Sequence, residues 1–538
     1  MKKKWLQWTT VLLVTSMLGT ACSNNGNNEP PAAEQPSNNN ATNETGEEQP
    51  LETIHISMGY NTNRGVVEKP SLWEAYMEER WGLTFDWIEI AADAFEERGN
   101  LLFATNEYPE YFFRVNATRS SPLVHNWARE GYLYDYSSDW SKVQNFVDLW
   151  TEEEWEEVLR RIQSPDGGVY YIPRIDRKVD GQLPVSLMWN YKKSAWDEMG
   201  LEFPETMDEL LEALRTIKAN DPNAVPIPGR WDITGVTYGL TNAYRTSLEW
   251  FIDPDDNDAY NYGPVGDKFR EMLTMINTFY TEGLIDREWL TQTDEQWRQD
   301  IGSGSAYIQF GNNWYQQFNT LEEGAEWTYA PHYIRAYEGA GMGPLIQTSA
   351  GVQLYGPVIT DKASDEVRER LLDHINWSFT PEGIDFYNYG IEGETYTIDE
   401  DGNRIPTEGI EDTFAGVSGT PLSHYGFGYL TMQEYQPREL AGNGWIEELT
   451  QNMHNDPDVA VRMNPSVTLS ESDTRDLADS TTMITDTRDR YITYFIMGDR
   501  DIRNDAHWQE YLQAMNTAGF ERYEQVYKEN YERIYLSN

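Results

Sequence analysis

The segments Thr53–Met58 (TIHISM), Leu83–Ile90 (LTFDWIEI) and Tyr111–Val115 (YFFRV) decide the fold of this chain of 538 residues. Their composition favours β-strands, and the first alternates apolar and polar side chains like a half-buried strand. Helical segments follow the strands, over Pro70–Arg80, Ala94–Phe103 and Leu123–Glu130. Because strands that alternate with helices pair in parallel through crossover connections, this pattern predicts an α/β layer architecture.

Helix starts and turns are also marked in the rest of the chain. Thr151–Glu154 and Thr206–Glu209 fit the capping box, in which the Thr oxygen accepts the N–H of the third residue and the Glu reaches back. Asp399–Asn403 indicates a hairpin turn between Tyr396–Ile398 and Ile405. The other predicted elements are a helix that opens at Ser194–Trp196, helices at Phe269–Gly283, Asp294–Ile301, Asp505–Thr517 and Glu521–Ile534, and a strand at Ala306–Phe310.

Charge and cysteine content exclude several classes of function. The chain has 41 Lys and Arg against 90 Asp and Glu, which gives a net charge of −49. Such a field repels nucleic acid, so we expect no nucleic-acid partner. The single cysteine excludes internal disulfides and Cys-rich zinc sites, because each of these needs at least two thiols.

The first 50 residues predict export and a membrane anchor. Residues 1–21 have a positive start, an apolar core and a small-residue end, which is typical of a signal peptide. Leu18–Cys22 resembles a bacterial lipobox, which would make Cys22 the lipidated first residue of the mature protein. An ordinary secreted protein is the alternative. Residues 23–50 have the composition of a disordered tether, so the predicted location is the extracytoplasmic face of the bacterial cell membrane.

Most common enzyme and metal signatures are missing from the sequence. It has no phosphate loop, dinucleotide-binding glycine motif, zinc-protease motif or nucleophile elbow. Asp253–Asp258 begins like a calcium loop, but Asp258 stands where the turn needs Gly, and Pro264 where it needs Glu. We therefore expect no cofactor, no metal and no catalytic residue. A carboxylate pair for glycoside hydrolysis stays open, because among 90 acidic residues any two can meet in space.

The aromatic residues favour a sugar ligand. The chain has 20 Trp and 34 Tyr against 18 Phe, a skew toward rings that carry a polar group. Sugar rings stack on such aromatic faces, while their hydroxyls need polar partners that would otherwise stay unpaired. For any single Trp, packing in a core is the more common role.

Several short segments carry a resemblance to a known family. They are Gly168–Arg174, Gly200–Thr206, Glu282–Asp286, Ser378–Gly383, Asn388–Gly393 and Phe495–Gly498. With the lipobox, the tether and the α/β pattern, the chain from about residue 52 resembles the extracellular solute-binding proteins of ABC importers. The resemblance is to the maltodextrin-type (family 1) lipoprotein branch of Gram-positive bacteria. Where many relatives carry a calcium-like loop, this chain has Val225–Trp231, so the resemblance carries no structural calcium over.

The resemblance implies a two-lobe, periplasmic-binding-protein-like (type II) α/β fold with hinge strands between the lobes. Lobe 1 is expected over residues 51–186 and about 346–405, and lobe 2 over 187–345 and about 406–538. The chain would cross between the lobes near Pro184–Leu187 and near Ile334–Leu345. The implied function is a monomeric, lipid-anchored receptor that captures an oligosaccharide, delivers it to the transmembrane permease of an ABC importer and catalyses no reaction.

The resemblance also implies which loops line the ligand cleft. Lobe 1 would contribute the loops after the first and third strands, and lobe 2 a Trp after the strand Ala306–Phe310, with weaker candidates near the crossings. The candidate ligand-binding residues are Tyr60, Asn61, Asn63, Arg64, Asn116, Arg119, Trp189, Trp250, Trp314 and Tyr355. Two other functions stay open, a surface glycoside hydrolase and a surface-binding lipoprotein without a transport role, and so does a peptide-like ligand.

Overall fold

The computed structural model describes most of the chain from residue 51 onward. It describes residues 51–61, 71–91, 94–117, 123–176, 181–185, 187–230, 232–311, 314–337, 343–348, 351–400, 402, 404–407, 432–433 and 444–536. The predicted signal peptide, Cys22 and the tether lie outside the described residues, as do Asn63, Arg64 and Arg119.

Short strands and longer helices make up the described structure. The strands are β1 (Ile54–Asn61), β2 (Leu83–Ile90), β3 (Tyr111–Asn116), β4 (Ile175–Asp176), β5 (Met188–Lys192), β6 (Trp250–Asp253), β7 (Ala259–Tyr262), β8 (Ile308–Gly311), β9 (Trp327–Tyr329), β10 (Leu345–Thr348), β11 (Tyr355–Ile359), β12 (Tyr396–Ile398), β13 (Arg404–Pro406), β14 (Met432–Gln433) and β15 (Ala460–Met463). The helices of the first half are α1 (Leu72–Trp81), α2 (Phe95–Ala104), α3 (Leu123–Arg129), α4 (Gln144–Val147), α5 (Glu152–Ile162), α6 (Lys193–Glu198), α7 (Met207–Asn220) and α8 (Asp232–Ala243). Those of the second half are α9 (Asp267–Thr281), α10 (Asp294–Gly302), α11 (Tyr315–Leu321), α12 (Asp365–Trp377), α13 (Pro381–Tyr389), α14 (Gly444–Asn455), α15 (Glu471–Met497), α16 (Asp505–Thr517) and α17 (Phe520–Tyr531). Among the described residues, no helix combines the length and the apolar composition that crossing a bilayer requires.

The first sheet has four strands in the order β11-β3-β1-β2. β1 pairs in parallel with both β2 and β3, so the parallel pairing predicted from alternating strands and helices is confirmed. β11 comes from much later in the chain and pairs antiparallel with the free edge of β3, with Tyr355 opposite Asn116. No local sequence pattern marks this pairing, because it joins distant segments.

Two large hydrophobic cores and a smaller third cluster, which contains Trp297 and Trp314, hold the described elements together. The first surrounds the four-stranded sheet, and its buried residues fall within 56–175 and 352–387. The second surrounds the sheet β8-β5-β9 and includes buried residues within 185–346 and 449–531. The chain therefore passes between the cores in residues 175–185, 346–352 and 387–449.

The first two passages run side by side. The N–H of Gln353 donates to the carbonyl of Arg174 at 2.9 Å, and the N–H of Asp176 donates to the carbonyl of Gly351 at 2.6 Å. The second passage lies after the predicted crossing at Ile334–Leu345. The chain has not yet left the second core at Leu345, because β10 pairs in parallel with β15, which packs on that core.

Local signals in the sequence are confirmed where they concern helix starts and turns. Thr151 and Thr206 each form the complete capping box with the Glu three residues later. The hairpin predicted around 399–403 is formed by β12 and β13, which pair antiparallel. Ser71 and Thr293 form two further capping boxes that the sequence reading missed.

Candidate ligand-binding cleft

The carboxyl ends of the parallel strands form one edge of the first sheet. β1 ends there with Tyr60 and Asn61, whose exposed fractions are 7% and 8%. β3 ends there with Asn116, which lies opposite Tyr355 at the start of β11. The first passage between the cores reaches the same edge, because the N–H of Arg174 donates to the carbonyl of Tyr355 at 3.2 Å. Open α/β sheets bind their ligands at this kind of edge.

Two arginines contact Tyr355. The Cζ atom of Arg114, in β3, lies 4.1 Å from the centroid of the Tyr355 ring. Nη1 of Arg174 donates to the Tyr355 hydroxyl at 2.7 Å, and its Nη2 lies 3.1 Å from Oδ1 of Asp176. We call Arg114, Arg174, Asp176 and Tyr355 the first arginine cluster. It connects the edge of the sheet to the hinge-side segment of the chain.

The environment of Arg114 is unfavourable for a cation. Burial lowers the pKa of its guanidinium and the charge of Arg174 also lowers it, while Tyr355 and Tyr60 act in the opposite direction. The net shift is downward, which means that the charged form is less stable here than in water. Arginine still keeps its proton at neutral pH, because its ordinary pKa lies so far above that range.

A third arginine, Arg230, contacts the small third cluster, which is separate from the second core. Met188, where the chain enters this core, lies opposite Gly311 at the end of β8. Trp314 follows β8, and its indole lies so close to Gly311 that an added Cβ there would be 2.1 Å from the ring. Glycine is therefore needed at this position to let the indole approach the backbone.

Arg230 lies in the angle between two indole rings. Its Cζ atom is 3.8 Å from the ring centroid of Trp297 and 4.3 Å from that of Trp314. The two indoles are 5.3 Å apart and are inclined at 69° to each other. We call Arg230, Trp297 and Trp314 the second arginine cluster. A guanidinium, rather than a sugar, contacts Trp314 in this conformation.

The other two predicted tryptophans lie inside the second core. Trp189 is 2% exposed, and its ring centroid is 5.3 Å from that of Phe310. Trp250 is also 2% exposed, and the rings of Tyr260 and Tyr527 both stack on it at 5.1 Å. Neither indole offers a sugar an open face in this conformation, because neighbouring rings occupy the space around it.

The structure brings together part of the predicted set. Tyr60, Asn61, Asn116 and Tyr355 share the edge of the first sheet, whereas Trp314 is 3% exposed and lies in the small third cluster. The sequence reading missed Arg114, Arg174 and Arg230 as site residues. Of these three, only Arg114 is marked by the sequence, because charged residues are rare in the middle of an apolar strand.

The acidic turn between β6 and β7 makes ion pairs with basic side chains. Asp253 ends β6 and Asp255 lies in the turn, and their carboxylates accept from Nζ of Lys268 at 3.2 and 2.6 Å. Asp255 also lies 3.1 Å from Nε of Arg245. Within the described residues, no group of three or more His, Cys, Asp or Glu side chains is placed to hold a metal ion.

Two of the cavities among the described residues are lined by side chains that belong to neither arginine cluster. The larger, of about 420 Å³, is lined in part by Arg488, Asp489 and Arg490 of α15. The smaller, of about 280 Å³, is lined in part by Tyr329 and Glu448, whose side chains share a hydrogen bond of 3.0 Å. Neither cavity is lined by a predicted ligand-binding residue.

Comparison with known proteins gives distant relatives and no matching family model. The chain is 24% identical over 246 residues to the fructooligosaccharide ABC transporter substrate-binding protein FusA of Streptococcus pneumoniae. The aligned residues make up 42% of this chain and 43% of FusA. It is 22% identical over 350 residues to the lipoprotein LipO of Bacillus subtilis. This alignment covers 59% of this chain and 63% of LipO. The chain thus spans less than two thirds of either curated relative.

Solved structures extend the likeness to almost the whole fold. FusA of Streptococcus pneumoniae in complex with kestose matches with a TM-score of 0.69 and 17% identity, over 89% of this chain and 99% of that one. The chain has the two-lobe fold of a solute-binding protein. An HMO-binding, ABC-transporter-associated solute-binding protein from Bifidobacterium longum infantis matches with a TM-score of 0.66 and 16% identity, over 90% and 100% of the two chains. The solute-binding-protein fold explains why two cores exist and why the chain passes between them repeatedly.

Proposed function

We propose that this chain is the extracellular solute-binding receptor of an ABC importer, which captures an oligosaccharide in the cleft between its lobes. The observation that carries the proposal is the agreement in fold, over 89% of the chain, with a substrate-binding protein that holds kestose. The receptor acts by binding and release, without catalysis. Its permease and ATP-hydrolysing subunits would be separate chains.

The proposed lobes comprise residues 51–186 with about 346–405, and 187–345 with about 406–538. The separation of the two hydrophobic cores supports this division. The paired segments at 174–176 and 351–355 would act as part of the hinge. Closure of the two lobes around a ligand would then create the surface that a permease distinguishes from the empty form.

The proposed ligand contacts come from both sides of the cleft. Tyr60, Asn61, Asn116 and Tyr355 would provide aromatic and hydrogen-bonding groups from lobe 1, and Trp314 from lobe 2. Asn63, Arg64 and Arg119 belong to the proposed set on the sequence alone, because they lie outside the described residues. The position of the described members at the carboxyl ends of parallel strands supports this assignment. Trp189 and Trp250 would act indirectly, by stabilising the core of lobe 2.

The proposed anchor is a lipid on Cys22. The lipobox-like sequence Leu18–Cys22 supports it, and so does the similarity to LipO, which is described as a lipoprotein. Replacement of Cys22 by Ser should move the protein from the membrane fraction to the medium. Retention of the Cys22→Ser variant in the membrane would contradict a lipid anchor at this residue.

A thermal-shift screen of the purified full-length protein against plant and microbial oligosaccharides tests the function. A ligand at about 100 times its Kd stabilises the native state by about 2.7 kcal/mol, which gives a clear rise in Tm. The bound sugar is then recovered and its length measured. An intact sugar supports a receptor, whereas a shortened sugar would favour a glycoside hydrolase. A panel of peptides serves as the comparison, and a response to peptides alone would contradict the sugar ligand.

A further inference from the structure

Helix α5 packs on the first core and also contacts a segment of the second. Val158 and Ile162 of this helix are buried in the first core, and Arg161 beside them is only 8% exposed. Nη1 of Arg161 donates to the carbonyl of Asn464 at 2.9 Å. Asn464 directly follows β15, and the chain around it packs on the second core. This hydrogen bond therefore joins the two cores outside the passages of the chain.

The contact between Arg161 and Asn464 adjoins the first two passages between the cores. The N–H of Asn464 donates to the carbonyl of Thr348, within the second passage, at 3.0 Å. Tyr171 lies shortly before the first passage. Burial raises the pKa of Tyr171, whereas the charge of Arg161 acts to lower it, so the two side chains are close. Because points near the axis of a rotation move little, a contact at this place can persist while the outer parts of two lobes separate.

A second contact connects α5 to the end of the chain. The Cζ atom of Arg160 lies 5.9 Å from the ring centroid of Tyr535. The Tyr535 hydroxyl accepts from the N–H of Ser466 at 3.1 Å and donates to the carbonyl of Ser466 at 3.0 Å. Burial raises the pKa of Tyr535 to about 12, and the charges of Glu157, Arg161 and Arg160 also act on it. The segment that accepts the Arg161 hydrogen bond is thus also connected to α5 through Tyr535.

We propose that Arg161 is a positioning residue of the receptor, whose bond to the Asn464 carbonyl keeps the two lobes on one axis while they open and close. The inference rests on the proposed function, because it concerns the motion of the proposed lobes. A buried guanidinium that loses its acceptor carries the cost of an unsatisfied charged donor. Motions that keep the carbonyl at Arg161 are therefore favoured over motions that separate the pair. Tyr535 supports this geometry by fixing Ser466.

The first test measures the distance between the lobes in the full-length protein without a ligand. Spin labels are attached to the substitutions Leu101→Cys in α2 and Met483→Cys in α15, because these side chains are 48% and 51% exposed. Cys22→Ser removes the only other thiol. Double electron–electron resonance then gives the distribution of distances between the labels. We expect Arg161→Met to widen this distribution about twofold, since more lobe orientations become accessible.

Three further variants show whether the widening comes from this contact. Arg161→Lys should restore part of the restraint, because an ammonium can still donate to the carbonyl. Tyr535→Phe removes only the hydroxyl that bonds to Ser466, so it should widen the distribution less than Arg161→Met. Arg488→Met is the matched control, since Arg488 is also buried but its carboxylate partners lie within the proposed second lobe. It should lower the stability and leave the distribution unchanged.

The second test measures affinity by isothermal titration. The probe is the oligosaccharide that gives the largest rise in Tm in the thermal-shift screen. A wider range of lobe orientations leaves a smaller fraction of molecules ready to close, and the Kd rises by the inverse of that fraction. We expect Arg161→Met to weaken binding about threefold to tenfold, and Arg488→Met to leave it within about twofold.

The outcomes separate this inference from the proposed function. A distribution in Arg161→Met as narrow as that with Arg161 in place would overturn the positioning role and leave a sugar receptor. Equal widening in Arg488→Met would assign the effect to general destabilisation and also overturn it. Where Arg161→Met does not fold, Tyr535→Phe decides, and an unchanged distribution there counts against the inference. Absence of binding to every oligosaccharide would overturn the proposed function, whereas the distances in the ligand-free protein do not depend on a sugar.

Discussion

Arg488 and Arg114 are both arginines with restricted exposure, but their surroundings shift their pKa values in opposite directions. The side chain of Arg488, in α15, is 8% exposed and lies 2.6 Å from carboxylate oxygens of Glu249 and Asp489. Burial acts to lower its pKa, but Tyr262 and the two carboxylates outweigh that effect, so the pKa is raised. The pKa of Arg114 is instead lowered, with burial as the largest cause.

The difference makes Arg488 the stronger anchor of the fold. Burying a charge costs several kcal/mol unless opposite charges and hydrogen bonds compensate it. Arg488 is compensated within the chain, and it joins α15 to the segment before β6 through the carbonyl of Leu248 at 3.3 Å. Arg114 instead has the like charge of Arg174 nearby, which acts in the same direction as burial. Fold stability should therefore depend more on the charge of Arg488 than on that of Arg114.

The largest expected effect on stability is that of Arg488→Met. The change removes the hydrogen bonds to Leu248 and Tyr262 and leaves two carboxylates without their cation. We expect a loss of about 2 kcal/mol in the free energy of unfolding, below the range for fully buried pairs because Glu249 and Asp489 stay partly exposed. Urea unfolding at neutral pH measures it. Affinity for the oligosaccharide should stay within about twofold, and a selective loss of binding would contradict the role of anchor.

A buried histidine extends the comparison to a base that is neutral in the folded protein. His374 is fully buried with Nε2 2.7 Å from the Tyr387 hydroxyl. Burial, with a smaller contribution from Arg80, lowers its pKa from 6.5 to about 3. The unfolded chain therefore binds a proton that the folded chain refuses, so stability is complete above about pH 6.5 and is lost as the pH falls toward 3.

Between about pH 7 and pH 5.5 this single proton should lower the free energy of unfolding by about 1.3 kcal/mol. Urea unfolding at the two pH values measures the change, in a range above the titration of most carboxylates. The variant His374→Gln is the comparison, and its stability should change less with pH. An equal pH dependence in both proteins would contradict the assignment to His374.

The variant Arg114→Met should have a smaller effect on folding than Arg488→Met. Removal of the guanidinium loses its contact with the Tyr355 ring but also removes the cost of burying a charge. We expect a change of less than about 1 kcal/mol in the free energy of unfolding, in either direction. The same urea assay measures it. A loss as large as that of Arg488→Met would show that Arg114 is an equally strong anchor and would contradict the comparison.

Arg215→Gln should have the smallest effect of the series. Hydrogen bonds to Glu282 and Glu212 raise the pKa of Arg215, as carboxylates do at Arg488. Its side chain is nevertheless 41% exposed, so water and salt screen both contacts. We expect no measurable change in Tm at physiological salt by differential scanning fluorimetry. A clear decrease would show that contact with carboxylates, and not burial, decides what an arginine contributes.

Part of the site was predictable, and the rest depended on contacts between distant segments. Tyr60 and Asn116 were found because they follow strands that a local pattern reveals, and strand ends are where α/β sheets bind ligands. Trp250 was chosen for its residue type, and only the tertiary structure shows the rings of Tyr260 and Tyr527 stacked on it. Arg230 gave no signal, because Trp297 and Trp314 reach it from other segments.

The sequence by itself determined the elements whose causes are local. The periodicity of apolar residues predicted β1 to β3, and capping boxes marked the starts of α5 and α7, because these signals act within a few residues. The tertiary structure alone decided the antiparallel entry of β11 beside β3, the division into two cores and the degree of charge compensation at Arg114 and Arg488. These features depend on burial and on contacts between residues far apart in the chain, and no local pattern records such contacts.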